Sequence, residues 1–213
     1  MRSVRSGTWL RHEIEIHRSR FITTVAHTPT EEDARTLIAT VRDEFPDATH
    51  NCSAFVVKPD DRNEIGHSND DGEPSGTAGA PMLDVLRRRE LVNVTAVVTR
   101  YFGGTLLGAG GLIRAYSTSV SETLDRADIV EIRQLNQWLL SAPHSFAGRI
   151  ESELRNRGFH IVGVDYLDTA RITCATEPTD EATFSGVVAE ISGGTVSPTP
   201  LPPTSIEVDV PTR

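Results

Sequence analysis

A glycine-rich segment, AVVTRYFGGTLLGAGGLIRAYS (residues 96–117), joins a predicted strand to a predicted helix and could bind an anion. Glycine tolerates positive φ angles and lets another group approach the backbone closely. The free N–H groups at a helix N-terminus favour a negatively charged ligand. Because the spacing matches neither the P-loop nor the dinucleotide-binding fingerprint, a closely packed turn is the alternative. The residues concerned are Arg100, Gly103, Gly104, Gly108, Gly110, Gly111 and Arg114.

An acidic segment, SNDDGEPSGTAGAPML (residues 68–83), places Asp70, Asp71 and Glu73 within four residues. Clustered carboxylates can hold a hard cation, or can raise the pKa of one member so that it acts as a general acid or base. Two structural interpretations compete with these. Ser75 or Thr77 could cap the following helix, and the carboxylates could pair with Arg100 or Arg114 of the glycine-rich segment.

His50 and Cys52 stand two residues apart in THNCSA, where a strand would place them on one face. They could form a base and a nucleophile, but no third group is evident that would orient the histidine. A buried structural cysteine is the alternative. Tyr101 and Phe102, which follow Arg100, could stack on nucleic acid bases or belong to the core.

The pattern of apolar residues predicts the elements that position these groups. Two short strands are expected within 8–26, and a third at 53–58. Thr30 and Asp33 form a capping box before a helix that ends at Pro46.

Residues 59–79 are predicted to form a long polar loop, followed by a short helix with Pro81 at its first position. The nearly unbroken apolar run 93–100 predicts a strand in the centre of its sheet. A long helix follows, with its buried stripe formed by Leu112, Tyr116, Val120 and Leu124.

The pattern changes near residue 134, which we take as a domain boundary. The second part is predicted to have the order β-α-β-β-α-β of a ferredoxin-like domain. Its four strands are expected at 135–141, 159–166, 169–175 and near 204–210. Its two helices are expected at about 143–157 and after Thr179. The fold class is therefore α+β with two domains, 1–134 and 135–213.

The composition limits the class of protein. A net charge of −9 argues against a broad surface for nucleic acid. No apolar run is long enough to span a membrane, and the N-terminus lacks a signal-peptide core. Two isolated cysteines indicate a reduced, cytoplasmic protein and do not make a zinc site.

Four stretches together resemble the signature segments of the IMPACT/YigZ family: SRFI, ATHNCSAF, the acidic segment, and LVNVTAVVTRYFGGTLLGAGGLIRAYS. The resemblance spans most of residues 15–130, and it is weaker in 135–213. It implies an α/β sandwich like domain four of elongation factor G, followed by a ferredoxin-like domain. It also implies a link to translation, because the eukaryotic relatives engage a ribosome-associated activator of an initiation-factor kinase.

Two functions are compared. The preferred one is a non-catalytic regulator or binding protein linked to translation, whose partner is the ribosome, RNA or a translation-associated protein, with no cofactor and no metal. The alternative is an enzyme or small-ligand binder with an anion or phosphate pocket between the acidic segment and residues 101–112, in which Asp71 or Glu73 would be the base. Both need the two segments to meet, and the predicted site residues are His50, Asp70, Asp71, Glu73, Thr77, Arg100, Tyr101, Gly103, Gly104, Gly110, Gly111 and Arg114.

Overall fold

The computed structural model describes residues 1–59 and 63–210. The contacts within the chain divide it into two units. The first unit is Met1–Glu131 together with the described residues from Val208 onward, and the second is Ile132–Glu207. No helix in this described part of the chain combines the length and the apolar character that crossing a membrane requires.

The first unit contains a five-stranded antiparallel sheet in the order β2-β3-β6-β4-β5. Its elements are β1 (Arg2–Val4), β2 (Trp9–Ile16), β3 (Ser19–His27), α1 (Glu31–Glu44), β4 (His50–Val57), β5 (Ile65–Asn69), α2 (Gly79–Arg88), β6 (Val94–Tyr101) and α3 (Gly108–Leu124).

Helices cover both faces of this sheet. Val97 packs in a cluster with residues of α1, whereas its neighbour Val98 packs in the larger core that contains residues of α2 and α3. Adjacent residues of a strand point to opposite faces, so β6, whose first seven residues are all buried, has both of its faces covered. The predicted central strand is confirmed, and so is the α/β sandwich.

The capping box that begins α1 is present as predicted. The Thr30 side chain accepts the N–H of Asp33, whose carboxylate accepts the N–H of Thr30. Three residues of α1, Ala34, Leu37 and Val41, are buried. The capping box could be predicted from the sequence because its two residues, Thr30 and Asp33, lie within one helical turn of each other.

Several local predictions were wrong. The long polar loop contains a strand, β5, which pairs with β4. Pro81 is the third residue of α2, which begins at Gly79, and the short strand β1 was not foreseen. Gly110 and Gly111 lie inside α3 rather than in the connection before it. Short elements at sheet edges carry too few residues to show a clear periodicity.

The second unit has the predicted ferredoxin-like order. Strand β7 begins before the unit boundary, and the sheet order around it is β10-β7-β9-β8, with β1 pairing the first residues of β7. Gly193 ends α5 in the left-handed conformation, with φ of 60°. The elements are β7 (Ile129–Ala142), α4 (His144–Asn156), β8 (His160–Tyr166), β9 (Ala170–Thr176), a 3-10 turn (Pro178–Asp180), α5 (Glu181–Ser192) and β10 (Thr199–Asp209).

Candidate functional site

The acidic and glycine-rich segments meet where β4 and β6 lie side by side. His50 is the register partner of Arg100 in this antiparallel pair. The acidic segment returns over the same strands through a turn in which Asp71 and Gly72 have positive φ, of 46° and 86°. The turn is closed by the N–H of Glu73, which donates to the carbonyl of Asp70 at 2.9 Å. Two stretches distant in sequence therefore form one site.

An ion pair between Arg100 and Glu73 lies at the centre of the site. Nη1 of Arg100 donates to Oε1 of Glu73 at 2.5 Å, and the hydroxyl of Tyr116 donates to the same oxygen at 2.7 Å. Arg100 and Glu73 are only 5% and 8% exposed. The prediction that an acidic residue pairs with Arg100 is therefore confirmed in its geometry, with Glu73 as the partner.

Two aromatic rings enclose the Arg100 guanidinium. Its central carbon lies 5.3 Å from the ring centroid of Phe21 and 5.6 Å from that of Phe102. Nη2 donates to the hydroxyl of Ser19 at 3.3 Å. The buried Nε has no hydrogen-bond partner among the described residues. Cation–π contact thus replaces part of the hydration that this cation has lost.

A cleft of about 430 Å³ opens above this ion pair, within the size range of small-molecule sites. Its polar side is formed by His50, Glu73 and Arg100. The first turn of α3 also lines it, and Leu107 at the N-cap of that helix makes no side-chain capping hydrogen bond. The remaining wall is apolar, and its members are Phe102, Leu106, Leu107 and Leu112.

The imidazole of His50 is held by the turn beneath it. Nδ1 lies 2.8 Å from the carbonyl oxygen of Asp71. Since a carbonyl only accepts hydrogen bonds, Nδ1 must be the donor, and neutral His50 then carries its lone pair on Nε2. Nε2 is 3.9 Å from Oε2 of Glu73. The cleft therefore presents two acceptor atoms side by side.

Cys52 is not placed to act as a nucleophile. Its Sγ is buried, 3.3 Å from the hydroxyl of Tyr116 and 3.0 Å from the carbonyl of Asp70. Burial raises the pKa of the thiol to about 12, although the side-chain hydrogen bond that it shares with Tyr116 acts in the opposite direction. The thiolate, which is the reactive form, is thus disfavoured, and the interpretation of Cys52 as a structural residue is supported.

The chain matches two family models. Residues 17–124 match the Impact N-terminal domain, and residues 140–195 match a domain of unknown function, DUF1949. IMPACT family member YvyE of Bacillus subtilis (strain 168) is 44% identical over 183 residues, which are 86% of this chain and 83% of that protein. The chain belongs to the IMPACT family.

Other relatives extend the likeness over both units of this IMPACT family chain. IMPACT family member YigZ of Escherichia coli (strain K12) is 40% identical over 183 residues, 85% of this chain and 89% of its own. A solved structure described as the crystal structure of an hypothetical protein aligns with a TM-score of 0.63 and 35% identity, covering 94% of this chain and 97% of that one. The family predicted from the sequence is confirmed.

The aspartates of the IMPACT acidic segment have structural contacts. Asp71 forms an ion pair with Arg42 and accepts the N–H of Asn51 at 2.6 Å. Asp70 accepts the N–H groups of Gly76, Ala78 and Gly79 at 2.8 to 3.0 Å. Asp70 therefore caps α2 from a distant position in the sequence.

Thr77 does not supply the predicted helix cap, because its hydroxyl donates to the carbonyl of Pro74 at 2.6 Å. Within residues 1–59 and 63–210, no group of three or more His, Cys, Asp or Glu side chains is arranged to hold a metal ion.

Acid should remove the stabilisation that Asp70 provides. Burial alone would raise the pKa of this carboxyl, but the backbone N–H groups of Gly76, Gly79 and Ala78 outweigh it and hold the pKa below its ordinary value. The contribution of Asp70 to the free energy of unfolding is thus complete above the pKa that an aspartate has in the unfolded chain, about 3.9. It is lost as the pH falls through the lower pKa of Asp70 in the folded chain. We expect Asp70→Asn to lower the free energy of unfolding by about 1 kcal/mol at neutral pH, and by less as the pH approaches 2.

The measurement is urea denaturation of the wild type and Asp70→Asn across this pH range. Asp168→Asn is the control, because Asp168 is exposed in the turn between β8 and β9. A stability difference for Asp70→Asn that stays constant from neutral to acid pH would contradict the assigned role.

Only some glycines of the glycine-rich segment are required by the local geometry of this IMPACT fold. Gly103 allows close approach, since a Cβ there would collide with the backbone of Arg18 and Ser19. Gly104 has φ of 83° and suits a turn. In contrast, a Cβ added to Gly110 would meet none of the described atoms within 4 Å apart from its chain neighbours and its own helix backbone, and on the same terms a Cβ on Gly111 would meet only the side chain of Leu107.

Two other predicted site residues of the IMPACT chain lie outside the cleft. Arg114 is exposed and lines a neighbouring cleft of about 240 Å³ with Ile16 and Thr105. The hydroxyl of Tyr101 donates to Asp47 at 2.9 Å. The sequence reasoning did not assign Tyr116 to the site, although a tyrosine within a buried helical stripe signals that its hydroxyl needs a buried partner.

Proposed function

We propose that this IMPACT family chain is a non-catalytic binding protein linked to translation, and that its cleft contacts a protein partner. The family resemblance supports the link to translation, because it implies a regulatory role for the eukaryotic members. The fold alone would not assign a function.

The observation that carries the proposal is the combination of a paired charge in the cleft and an apolar rim around it. Phe102 and Leu106, which both line the cleft, are 45% and 88% exposed. Exposed apolar groups next to one another are typical of protein contact sites. Glu73 already accepts hydrogen bonds from Arg100 and Tyr116, which disfavours a role as a catalytic base.

The charges favour a protein over RNA as the partner. Arg100 is buried in its ion pair with Glu73. The Tyr101 hydroxyl donates to Asp47, and the Arg20 guanidinium lies 5.4 Å from the Tyr101 ring centroid. Both residues therefore already have partners within the chain. The chain as a whole carries a net charge of −9, and RNA binding depends on many basic contacts to phosphate.

Ribosome co-sedimentation at low and high salt tests the proposal. We expect the chain to sediment with ribosomes at both salt concentrations, because apolar contacts are screened little by salt. Leu106→Glu should abolish the association. Val162→Glu, at a position that is 55% exposed in the second unit, is the matched control and should not.

Two results would overturn the proposal. One is the absence of any association in either condition. The other is an association that disappears at high salt and after ribonuclease treatment, which would identify RNA as the partner.

A small-ligand function is the second candidate, and the size of the cleft favours it. The first turn of α3, which lines the cleft, could bind an anionic or phosphate-bearing molecule through its free N–H groups. Thermal unfolding with nucleotides and divalent cations distinguishes this candidate. A higher melting temperature would support it, and no shift with any of these compounds would remove it.

A further inference from the structure

We propose that the cleft receives a protonated primary amine, carried on the lysine side chain of the protein partner. The assignment of the amine to a partner's lysine rests on the proposed function, whereas the preference for an amine follows from the atoms of the cleft itself. Its basis is the pair of acceptor atoms formed by Nε2 of His50 and Oε2 of Glu73, which are 3.9 Å apart.

In the neutral form of His50, the surroundings of the ring leave Nε2 as the acceptor. Nδ1 donates to the carbonyl of Asp71, which holds both the tautomer and the orientation of the ring. His50 lines the cleft and its side chain is 19% exposed. An ammonium group donates up to three hydrogen bonds and accepts none, so it matches a lone pair on Nε2, whereas a carboxylate or phosphate would be repelled by it.

The acceptor on Glu73 is Oε2, the carboxylate oxygen that does not take part in the ion pair with Arg100. Arg100 and Tyr116 both bind Oε1, and Oε2 has no hydrogen-bond partner among the described residues. One nitrogen placed about 2.8 Å from each acceptor spans the 3.9 Å between them.

The rest of the cleft fits the remainder of a lysine residue. The side chains of Phe102, Leu106 and Leu112 provide an apolar wall for its four methylene groups. The first turn of α3 lines the same cleft without a side-chain cap. Its N–H groups can donate to the backbone carbonyls on either side of the inserted lysine.

The test is an NMR titration of the full chain with three small amides. Nα-acetyl-lysine amide carries the proposed amine, Nα-acetyl-norleucine amide keeps the stem without it, and Nα,Nε-diacetyl-lysine amide removes the charge. We expect the lysine compound to bind at least about tenfold more tightly than the other two, with shifts in the backbone amides of 72–74 and 106–109. Norleucine amide with a free α-amine distinguishes a chain terminus from a lysine side chain.

Variants assign the two acceptors. His50→Ala should weaken binding of the lysine compound by about tenfold, and it is not expected to unfold the chain because His50 is partly exposed. Glu73→Gln should weaken it further if the variant folds. Glu64→Gln, at an exposed ion pair with Arg87, is the matched control and should leave binding unchanged.

The proposal is wrong if the lysine and norleucine compounds bind equally, if no shifts occur at the cleft, or if His50→Ala binds like the wild type. Tighter binding of the free α-amine would overturn the assignment to lysine. Since the titration needs no partner, a failure to associate with ribosomes would sink the proposed function and leave this result intact.

Discussion

Replacing Glu73 by glutamine is expected to lower the free energy of unfolding by about 3–5 kcal/mol, because it leaves a buried cation without its counter-charge. Arg100 and Glu73 are both almost fully buried, with Nη1 and Oε1 2.5 Å apart. Glutamine can still accept hydrogen bonds from Arg100 and Tyr116, so the decrease in the free energy of unfolding reports the loss of the negative charge. Urea denaturation followed by circular dichroism provides the measurement.

An exposed ion pair provides the comparison for Glu73. Glu13 and Arg20 are held at 2.7 Å, but their side chains are 44% and 51% exposed. We expect Glu13→Gln to cost less than about 1 kcal/mol. The double variant Glu73→Leu with Arg100→Met should be more stable than the sum of the single changes predicts. Equal losses for Glu13→Gln and Glu73→Gln would refute the account of the buried pair.

Substituting alanine for Gly103 is expected to cost about 3 kcal/mol, at the upper end of the effects of overpacking. The added Cβ would overlap the carbonyl of Arg18 and lie 2.5 Å from the backbone nitrogen of Ser19. These atoms belong to the turn that ends β2 and starts β3, so they can move only if the hairpin moves. Thermal unfolding of the purified variant measures the cost.

Gly110→Ala is the matched control within the same segment. Gly110 lies inside α3, and beyond its chain neighbours and the backbone of its own helix a Cβ there would meet no described atom within 4 Å. Alanine is the better helix former by about 1 kcal/mol, so this variant should be slightly more stable than the wild type. If both alanine variants behave alike, the close approach at Gly103 has no energetic importance.

The sequence predicted most of the fold because the long elements carry a complete periodic signal. The run 93–100 could be placed in the centre of a sheet since both of its faces are apolar, and α3 followed from a stripe that steps by four residues. Strands of three or five residues, such as β1 and β5, do not show such a period. The first residue of α2 depends on Asp70, which lies outside the helix.

The site could be predicted only in part. The residues of both segments were recognisable by type, and the pairing of an acidic residue with Arg100 was among the alternatives. Which carboxylate pairs depends on the turn at Asp71 and Gly72 and on the register of β4 against β6, and neither can be read from composition. The contribution of Tyr116 depends on where α3 crosses the sheet, which is set by the tertiary packing.

The central place of β6 has a consequence for how the chain folds during its synthesis. β2 pairs with β3 and β4 with β5 through contacts that are near in sequence, but β6 must join β3 to β4, and it begins 75 residues after β3 begins. Non-local pairing of this kind slows folding. On a translating ribosome, we expect two separate hairpins with open edges to persist until Tyr101 has left the exit tunnel, and the first domain to close in a single late step.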